Sequence, residues 1–507
     1  MSPVPEFRAL SSPDRPPRWH AALLKAAAAL LAVAGLAACA TMNRITGRTA
    51  DSPAQPWAPP AGERRPPEPI PAPSIPVELQ APGRAWTLGD IVDVGLANNL
   101  KTRAAWSTAR AASAAVGISL GAYLPEIDAS LAGTKQKAVF AGGRFIIDQT
   151  TLTPEASLNL LLFDFGGREA DVRSARRALE AANWTQNAVF QNVILEIESV
   201  YYQYLAAHAL LDAQETSRKG AQTNYDAANE RHRAGVATIA DVLQAKTALS
   251  MIDLQLVTTR GLIQTLHGAL ASSMGLPAGA AFDIADGLPE EIPFDSVNGK
   301  IDLCIQDAVA KRPDLAAARA LVREAEAGVS KARSTFFPAL SLSGNIGRIY
   351  YKGNPVSNPF NTISVSLQLP FLFGLQHYAV LAAKAQAEVA RDQMTDLSRG
   401  IELQVWTSYF GLKTSEQEIL TARDLLASAQ ASYDVAIGRY KEGVGSIIDL
   451  LAAQSALEDG RVQLVRAKSD WFLALVQFTH DTGTLAPPAD PTKPSQPAGP
   501  GKGDHRP

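Results

Sequence analysis

The segment Arg231-His-Arg-Ala-Gly-Val-Ala-Thr-Ile-Ala-Asp-Val-Leu243 returns 208 positions later as Arg439-Tyr-Lys-Glu-Gly-Val-Gly-Ser-Ile-Ile-Asp-Leu-Leu451. Its chemistry-bearing residues are Arg231 and Arg439, Asp241 and Asp449, and the pair His232 and Tyr440. Set around a glycine turn, these groups offer charge and hydrogen bonds; nothing in their spacing offers turnover. His232 becomes Tyr440 in the second copy, which argues against a catalytic imidazole. The seven histidines show no H-x-x-x-H spacing, and there is no paired CxxC, phosphate loop or G-x-S-x-G. Gly166-Gly167 is followed by Arg168 without the rest of a dinucleotide fingerprint, so it reads as a tight strand-to-helix turn. The sequence therefore predicts no enzyme, no cofactor and no metal.

The elements that must position these groups are also doubled. At the same offset Phe163 meets Phe371, Gly166 meets Gly374 and Tyr201 meets Tyr409; earlier in the chain, at an offset of 213, Ala97–Ala105 meets Ala310–Ala318. A long internal repeat is one unit built twice. Each motif reads as a helix, a glycine turn at Gly235-Val236 or Gly443-Val444-Gly445, and a return helix. Asp241 is placed to cap or bond near its turn. From Gly167 to about Arg233 there is no proline. Val193, Ile197, Val200, Tyr204, Ala207 and Leu211 form a coiled-coil seam, matched by Ile401, Val405, Ser408, Leu412, Ser415 and Ile419. Such a helix would be roughly 100 Å long. The return helix spans about Thr238 to Ser273. Shorter helices are expected over 88–121 and 301–335, broken near Asn98–Leu100 and Arg312–Pro313.

Strands follow Pro125 and Pro338. Ile127, Ala129 and Leu131 alternate with polar residues, as do Leu340 and Leu342, and Val365, Leu367 and Leu369, while Leu158, Leu160 and Leu162 alternate with Ser157, Asn159 and Leu161. Period-two alternation gives one apolar face. The sheet could rest on a soluble core. Against that, strands of about ten residues with one oily face fit a membrane barrel. Four strands cannot close a barrel, and an open edge in lipid is very costly. Three chains supplying four strands each would close a twelve-stranded barrel.

Composition and the two ends set the compartment. The 507 residues carry 47 basic and 50 acidic side chains, so there is no electrostatic case for nucleic acid. Arg15, Arg18 and Lys25 precede an apolar run shorter than the roughly 20 residues a membrane span needs. Leu36-Ala-Ala-Cys39 is similar to the bacterial lipobox. Residues 1–38 then read as a lipoprotein signal peptide, with Cys39 the lipidated residue, and Ala40 at the next position implies outer-membrane sorting. Residues 39–85 form a lipidated, proline-rich tether, and 486–507 a disordered tail. With Cys39 lipidated, Cys304 has no partner and is expected to pack against its neighbours.

The order of elements over 86–485 resembles the TolC family of outer-membrane efflux proteins, particularly its lipid-anchored members. The residues that carry the likeness are Trp86-Thr-Leu-Gly-Asp-Ile, Leu96-Ala-Asn-Asn, Leu124-Pro-Glu-Ile127, Phe163-Asp-Phe-Gly-Gly-Arg168 and both turn motifs. The resemblance implies a mainly helical chain with membrane strands: two efflux repeats, 86–299 and 300–485, a coiled-coil α-barrel and a trimeric β-barrel. It also implies an equatorial collar near 86–98, 276–311 and 475–485. Gly235, Val236, Gly443, Val444 and Gly445 would lie at the periplasmic tip and meet an adaptor protein. Asp449 matches an acidic tip position, and three copies around an axis would form a cation-favouring carboxylate ring. Arg231, Arg439 and Tyr440 would brace the tip by hydrogen bonds to neighbouring helices. Ala452 stands where some members carry a second aspartate, and an arginine found between the glycine and the aspartate is absent.

The implied role is a passive outer-membrane duct for small molecules, passed on by an inner-membrane pump through a periplasmic adaptor. Two rivals remain at this level. One is a duct for type I protein secretion, separable by genomic neighbours. The other is a periplasmic coiled-coil lipoprotein without a pore, separable by bilayer conductance.

Overall fold

The computed structural model describes residues 73, 75–76, 79, 81, 83–140, 145–292, 300–353, 355–371 and 374–485. Cys39, the leader 1–38, most of the tether 39–85 and the tail 486–507 lie outside the described residues.

The proline-free, alanine-rich stretches form the longest helices. Helix α3 (Gly167–Arg233) has 67 residues and returns through α4 (Ile239–Ser273), which has 35. Helix α7 (Leu375–Lys441) has 67 and returns through α8 (Ile447–Asp481), which has 35. At a rise of 1.5 Å per residue each long helix spans about 100 Å. The seam expected in α7 is buried throughout, from Ile401 to Ile419. In α3, Val193, Ile197 and Ala207 are buried, but Val200, Tyr204 and Leu211 are only half-buried. A second stripe, Ile194, Tyr201 and Leu205, is buried instead. The reason is that α3 packs on α1 (Leu88–Asn98), α2 (Leu100–Gly121) and α6 (Pro313–Ser334) as well as on α4 and α8, so no single 3.5-residue seam serves it.

The shorter helices break where expected. Helices α1 (Leu88–Asn98) and α2 (Leu100–Gly121) are separated by Asn99; α5 (Ile301–Lys311) and α6 (Pro313–Ser334) by Arg312. Both break residues are buried and bonded. The Asn99 amide donates to the Ser273 carbonyl at 2.8 Å, and the Arg312 guanidinium holds Asp314 at 2.6 Å and the Gln404 amide oxygen at 2.6 Å. Asn99 thus pins a short helix to the end of α4, and Arg312, which also donates to the Asp481 carbonyl at 3.3 Å, pins one to the end of α8.

The strands are β2 (Glu126–Phe140), β3 (Phe145–Phe163), β5 (Ala339–Tyr351) and β6 (Ser357–Gln368), longer than alternation alone indicated. They form one antiparallel sheet in the order β2-β3-β5-β6, leaving β2 and β6 as edges. Register puts Ile127, Leu158, Gly344 and Ile363 in one row, and Leu160, Leu342 and Val365 in the next, all on the same face. The opposite face carries Ser157, Asn159, Ser343, Asn345 and Ser364. Its Asn345 amide donates to Glu155 at 2.9 Å.

A two-residue parallel pair, β1 (Ala85–Trp86) with β4 (Asp283–Ile284), ties the first described segment to the stretch after α4. Trp86 stacks on Phe282 at 5.2 Å inside a core with Ile91, Val92, Ile197 and Tyr201. A second core gathers Leu315, Ile401, Val405, Trp471 and Phe472, with half-buried Cys304 packed against it. Tyr202 of α3 stacks on Phe472 of α8 at 4.8 Å and joins the two hairpins there.

Candidate functional site: the paired hairpin turns

Both turns follow from how a helix ends at glycine. In the first, Gly235 has φ 75°; its N–H donates to the His232 carbonyl and the Val236 N–H to the Arg231 carbonyl, both at 2.9 Å. In the second, Gly443 has φ 76°; its N–H donates to Tyr440 at 3.1 Å and the Val444 N–H to Arg439 at 3.0 Å. Both are Schellman motifs, which satisfy the last helical carbonyls and need a left-handed residue. Gly445 adds a 3.0 Å bond to the same Arg439 carbonyl, and a Cβ there would lie 3.1 Å from the Tyr440 nitrogen. Val236 and Val444 are 66% and 70% exposed, so each turn presents a bare apolar side chain. The His232 ring bonds the Ala237 carbonyl at 3.0 Å, a contact within its own turn.

The two carboxylates are treated differently. Thr238 caps α4: it accepts from the Asp241 N–H at 3.3 Å, and its own N–H donates to the Asp241 carboxylate at 2.8 Å. This reciprocal capping box satisfies two orphan donors and fixes Asp241. Ser446 caps α8 by accepting from the Asp449 N–H at 3.1 Å, but the return bond is not formed. The Asp449 carboxylate is exposed and lines an open groove with Arg439, Ser432, Val435, Gly445 and Ala452.

Arg231 joins the two turns. Its guanidinium donates to the Tyr440 carbonyl at 2.6 Å and lies 4.7 Å from the Tyr440 ring centroid. Tyr440 is buried among Ala228, Val242, Ala245, Ile447 and Leu450. Its hydroxyl has no hydrogen-bond partner. Burial pushes its phenol above the ordinary value, with Arg231 pulling down and Asp241 pushing up. Arg231 bonds across the hairpins; Tyr440 supplies its carbonyl and ring face, not its hydroxyl. Arg439 makes no side-chain hydrogen bond or ion pair among the described residues, because its place on α7 faces the groove.

A polar layer above the turns was not foreseen. The buried Asn224 amide donates to Gln454 at 2.6 Å and to the Tyr433 hydroxyl at 3.2 Å, and Arg461 donates to Ser217 at 3.1 Å. The signal was in the sequence: Gln214, Ser217, Ala221, Asn224, Ala228 and Arg231 keep a three-four spacing while the residues turn small or polar. Among the described residues no group of three His, Cys, Asp or Glu could hold a metal ion.

The family model described as "Outer membrane efflux protein" matches residues 92–276 and 304–484. Protein CyaE of Bordetella pertussis is 25% identical over 374 residues, covering 72% of this chain and 77% of that one. The pyoverdine export outer membrane protein OpmQ of Pseudomonas aeruginosa is 25% identical over 402 residues, covering 75% and 82%. Among solved structures, the outer-membrane channel OprN superposes with a TM-score of 0.72 at 19% identity, over 79% of this chain and 91% of that one.

Proposed function

The chain belongs to the outer membrane efflux protein family, and from that premise we propose that it is the outer-membrane duct of a tripartite efflux system, exporting small molecules received from an inner-membrane pump through a periplasmic adaptor. One observation carries this reading: a four-stranded sheet, apolar on one face and open at β2 and β6, continuous with two hairpins of 67-residue helices. In lipid the open edges need partners. Three copies supply twelve strands and close them. The exposed Leu254 and Val257 of α4 and Leu403 and Trp406 of α7 would then lie between copies. Among the described residues no helix is long and apolar enough to cross a membrane.

In this assembly 86–299 and 300–485 act as two repeats of one unit, and Cys39 anchors the chain by lipid. Gly235, Val236, Gly443, Val444 and Gly445 meet the adaptor. Asp449, whose carboxylate makes no bond back to the cap, forms a threefold ring that favours cations. Asp241 stays with its helix, and Arg231 with Tyr440 holds the hairpins together at the tip. The relative OpmQ is a pyoverdine export protein, which favours a small-molecule substrate over a protein. The test is reconstitution of the full chain. A detergent-stable trimer that conducts ions across a planar bilayer is the expected outcome; a water-soluble monomer, or no conductance from a properly inserted trimer, overturns the reading.

A further inference from the structure

The charges of the sheet are sorted by face. Strands β2, β3, β5 and β6 contain three cations, Lys135, Lys137 and Arg348, and four carboxylates, Glu126, Asp128, Asp148 and Glu155. Register pairs Lys135 with Thr150 and Lys137 with Asp148, and puts Arg348 opposite Pro359. By alternation all three cations share the face of Ile127, Leu158 and Ile363. Glu126, Asp128 and Glu155 share the opposite face, with Asn345 and Ser343. Asp148 is the one carboxylate on the cationic side.

The cations are also sorted by height. All three lie in the half of the sheet away from the helices: Lys135 and Lys137 beyond the row of Leu152 and Tyr350, and Arg348 one row inside it, level with Leu131. Lys352, the first residue past β5, adds a fourth exposed cation at that end. The opposite end of the apolar face, around Leu340 and Leu367, carries no charge. Among the described residues Arg348 donates only to the Ser357 hydroxyl, at 3.3 Å, and these cations form no ion pair. Exposed cations left unpaired at one rim of an apolar band cost nothing in water, but they select what the band's surroundings offer. Long cationic side chains at such a rim reach outward to the interface.

We infer that Lys135, Lys137 and Arg348 form a binding site for phosphate-bearing lipid headgroups of net negative charge in the leaflet farther from the helices. This rests on the sheet spanning the membrane. The occupant is a lipid and not a free anion, because the cations continue directly from a lipid-facing surface, and their net positive charge complements a headgroup phosphate. The same sorting leaves the interior of the barrel with carboxylates and without sheet cations, so the headgroup site and the export path do not compete for the same anions.

The experiment uses the purified full chain in detergent, offered equal amounts of phosphatidylglycerol and phosphatidylcholine with matched acyl chains, and read by native mass spectrometry. The wild type should retain phosphatidylglycerol in preference, and each removed cation should cut the preference on the order of fivefold. The triple variant K135Q/K137Q/R348Q should approach parity, and the double variant K135Q/K137Q should fall between. Glu155→Gln, on the interior face, should leave the preference unchanged. Parity in the wild type, or an undiminished preference in both cation variants, overturns the inference. If the wild type holds both lipids equally, the sheet still lies in lipid and only the headgroup site fails. If it holds neither and stays monodisperse without detergent, the membrane-spanning reading fails with it.

Discussion

The two hairpins share a backbone and differ in where they send their charges. Their helices match in length, their turns close by the same pair of hydrogen bonds, and their glycines differ by one degree in φ. In the first hairpin Arg231 reaches inward to Tyr440 and Asp241 is locked on its cap. In the second the matched Arg439 and Asp449 are exposed. Higher up, Glu198 of α3 is buried, and its counterpart in α7 is Trp406, half exposed. The lesson is that seam and turn residues set the backbone, while the side chains at matched positions decide whether a helix bonds inside the chain or is left for a partner.

The largest test of this contrast is Glu198. Burial raises its carboxyl from 4.5 to about 7, so the folded chain keeps a proton that the unfolded chain has lost. The stability this group contributes is full below about pH 4.5 and is lost as pH rises towards 7. At about 1.4 kcal/mol per unit the loss is on the order of 3 kcal/mol. Glu198→Gln should flatten that slope in denaturant unfolding followed from pH 4 to 8, whereas Trp406 has no proton to lose. An identical slope in the variant would show that Glu198 is solvated.

Arg231→Ala comes next. It removes a charged hydrogen bond and a cation–π contact, together roughly 2–4 kcal/mol. Arg439→Ala should change stability by less than about 0.5 kcal/mol. Equal effects of the two would erase the asymmetry. In the bilayer, Arg231→Ala should also raise resting conductance.

Asp241→Ala should cost about 1 kcal/mol through the lost cap. Asp449→Ala should be close to neutral for stability, yet lower the cation-to-anion permeability ratio. An unchanged ratio removes Asp449 from ion selection. The smallest effect belongs to Tyr440→Phe. Deleting an unpaired buried hydroxyl while keeping ring and carbonyl should be neutral or stabilising by up to about 1 kcal/mol; a marked loss would mean that the hydroxyl finds a partner in the assembled protein.

Much of the fold was legible in the chain. Proline-free stretches with a sustained period gave the long helices, and Asp241 beside its turn pointed to a cap or a bond there. The strands were found but drawn short. Apolar alternation in β2 ends at Gly133, yet the ladder runs on to Phe140, because backbone pairing needs no apolar side chain. Pro154 hid the first half of β3, since proline donates nothing to a ladder and is expected at edges. Here β3 is a central strand, and its register with β5 skips Thr153 and Pro154. At the site, the turn glycines and the Asp241 cap were local and readable. The bond from Arg231 to a carbonyl 209 residues away was not.

The sequence alone determined the repeated elements, the lengths of the helices, the turn chemistry and the apolar face of each strand, because these depend on neighbours within a few residues. Only the tertiary structure decided which arginine bonds, which aspartate stays free, that the tyrosine hydroxyl is stranded, and that α3 carries two buried stripes. Those outcomes depend on which helix packs against which, and the two copies of the motif, nearly identical in pattern, meet different surroundings.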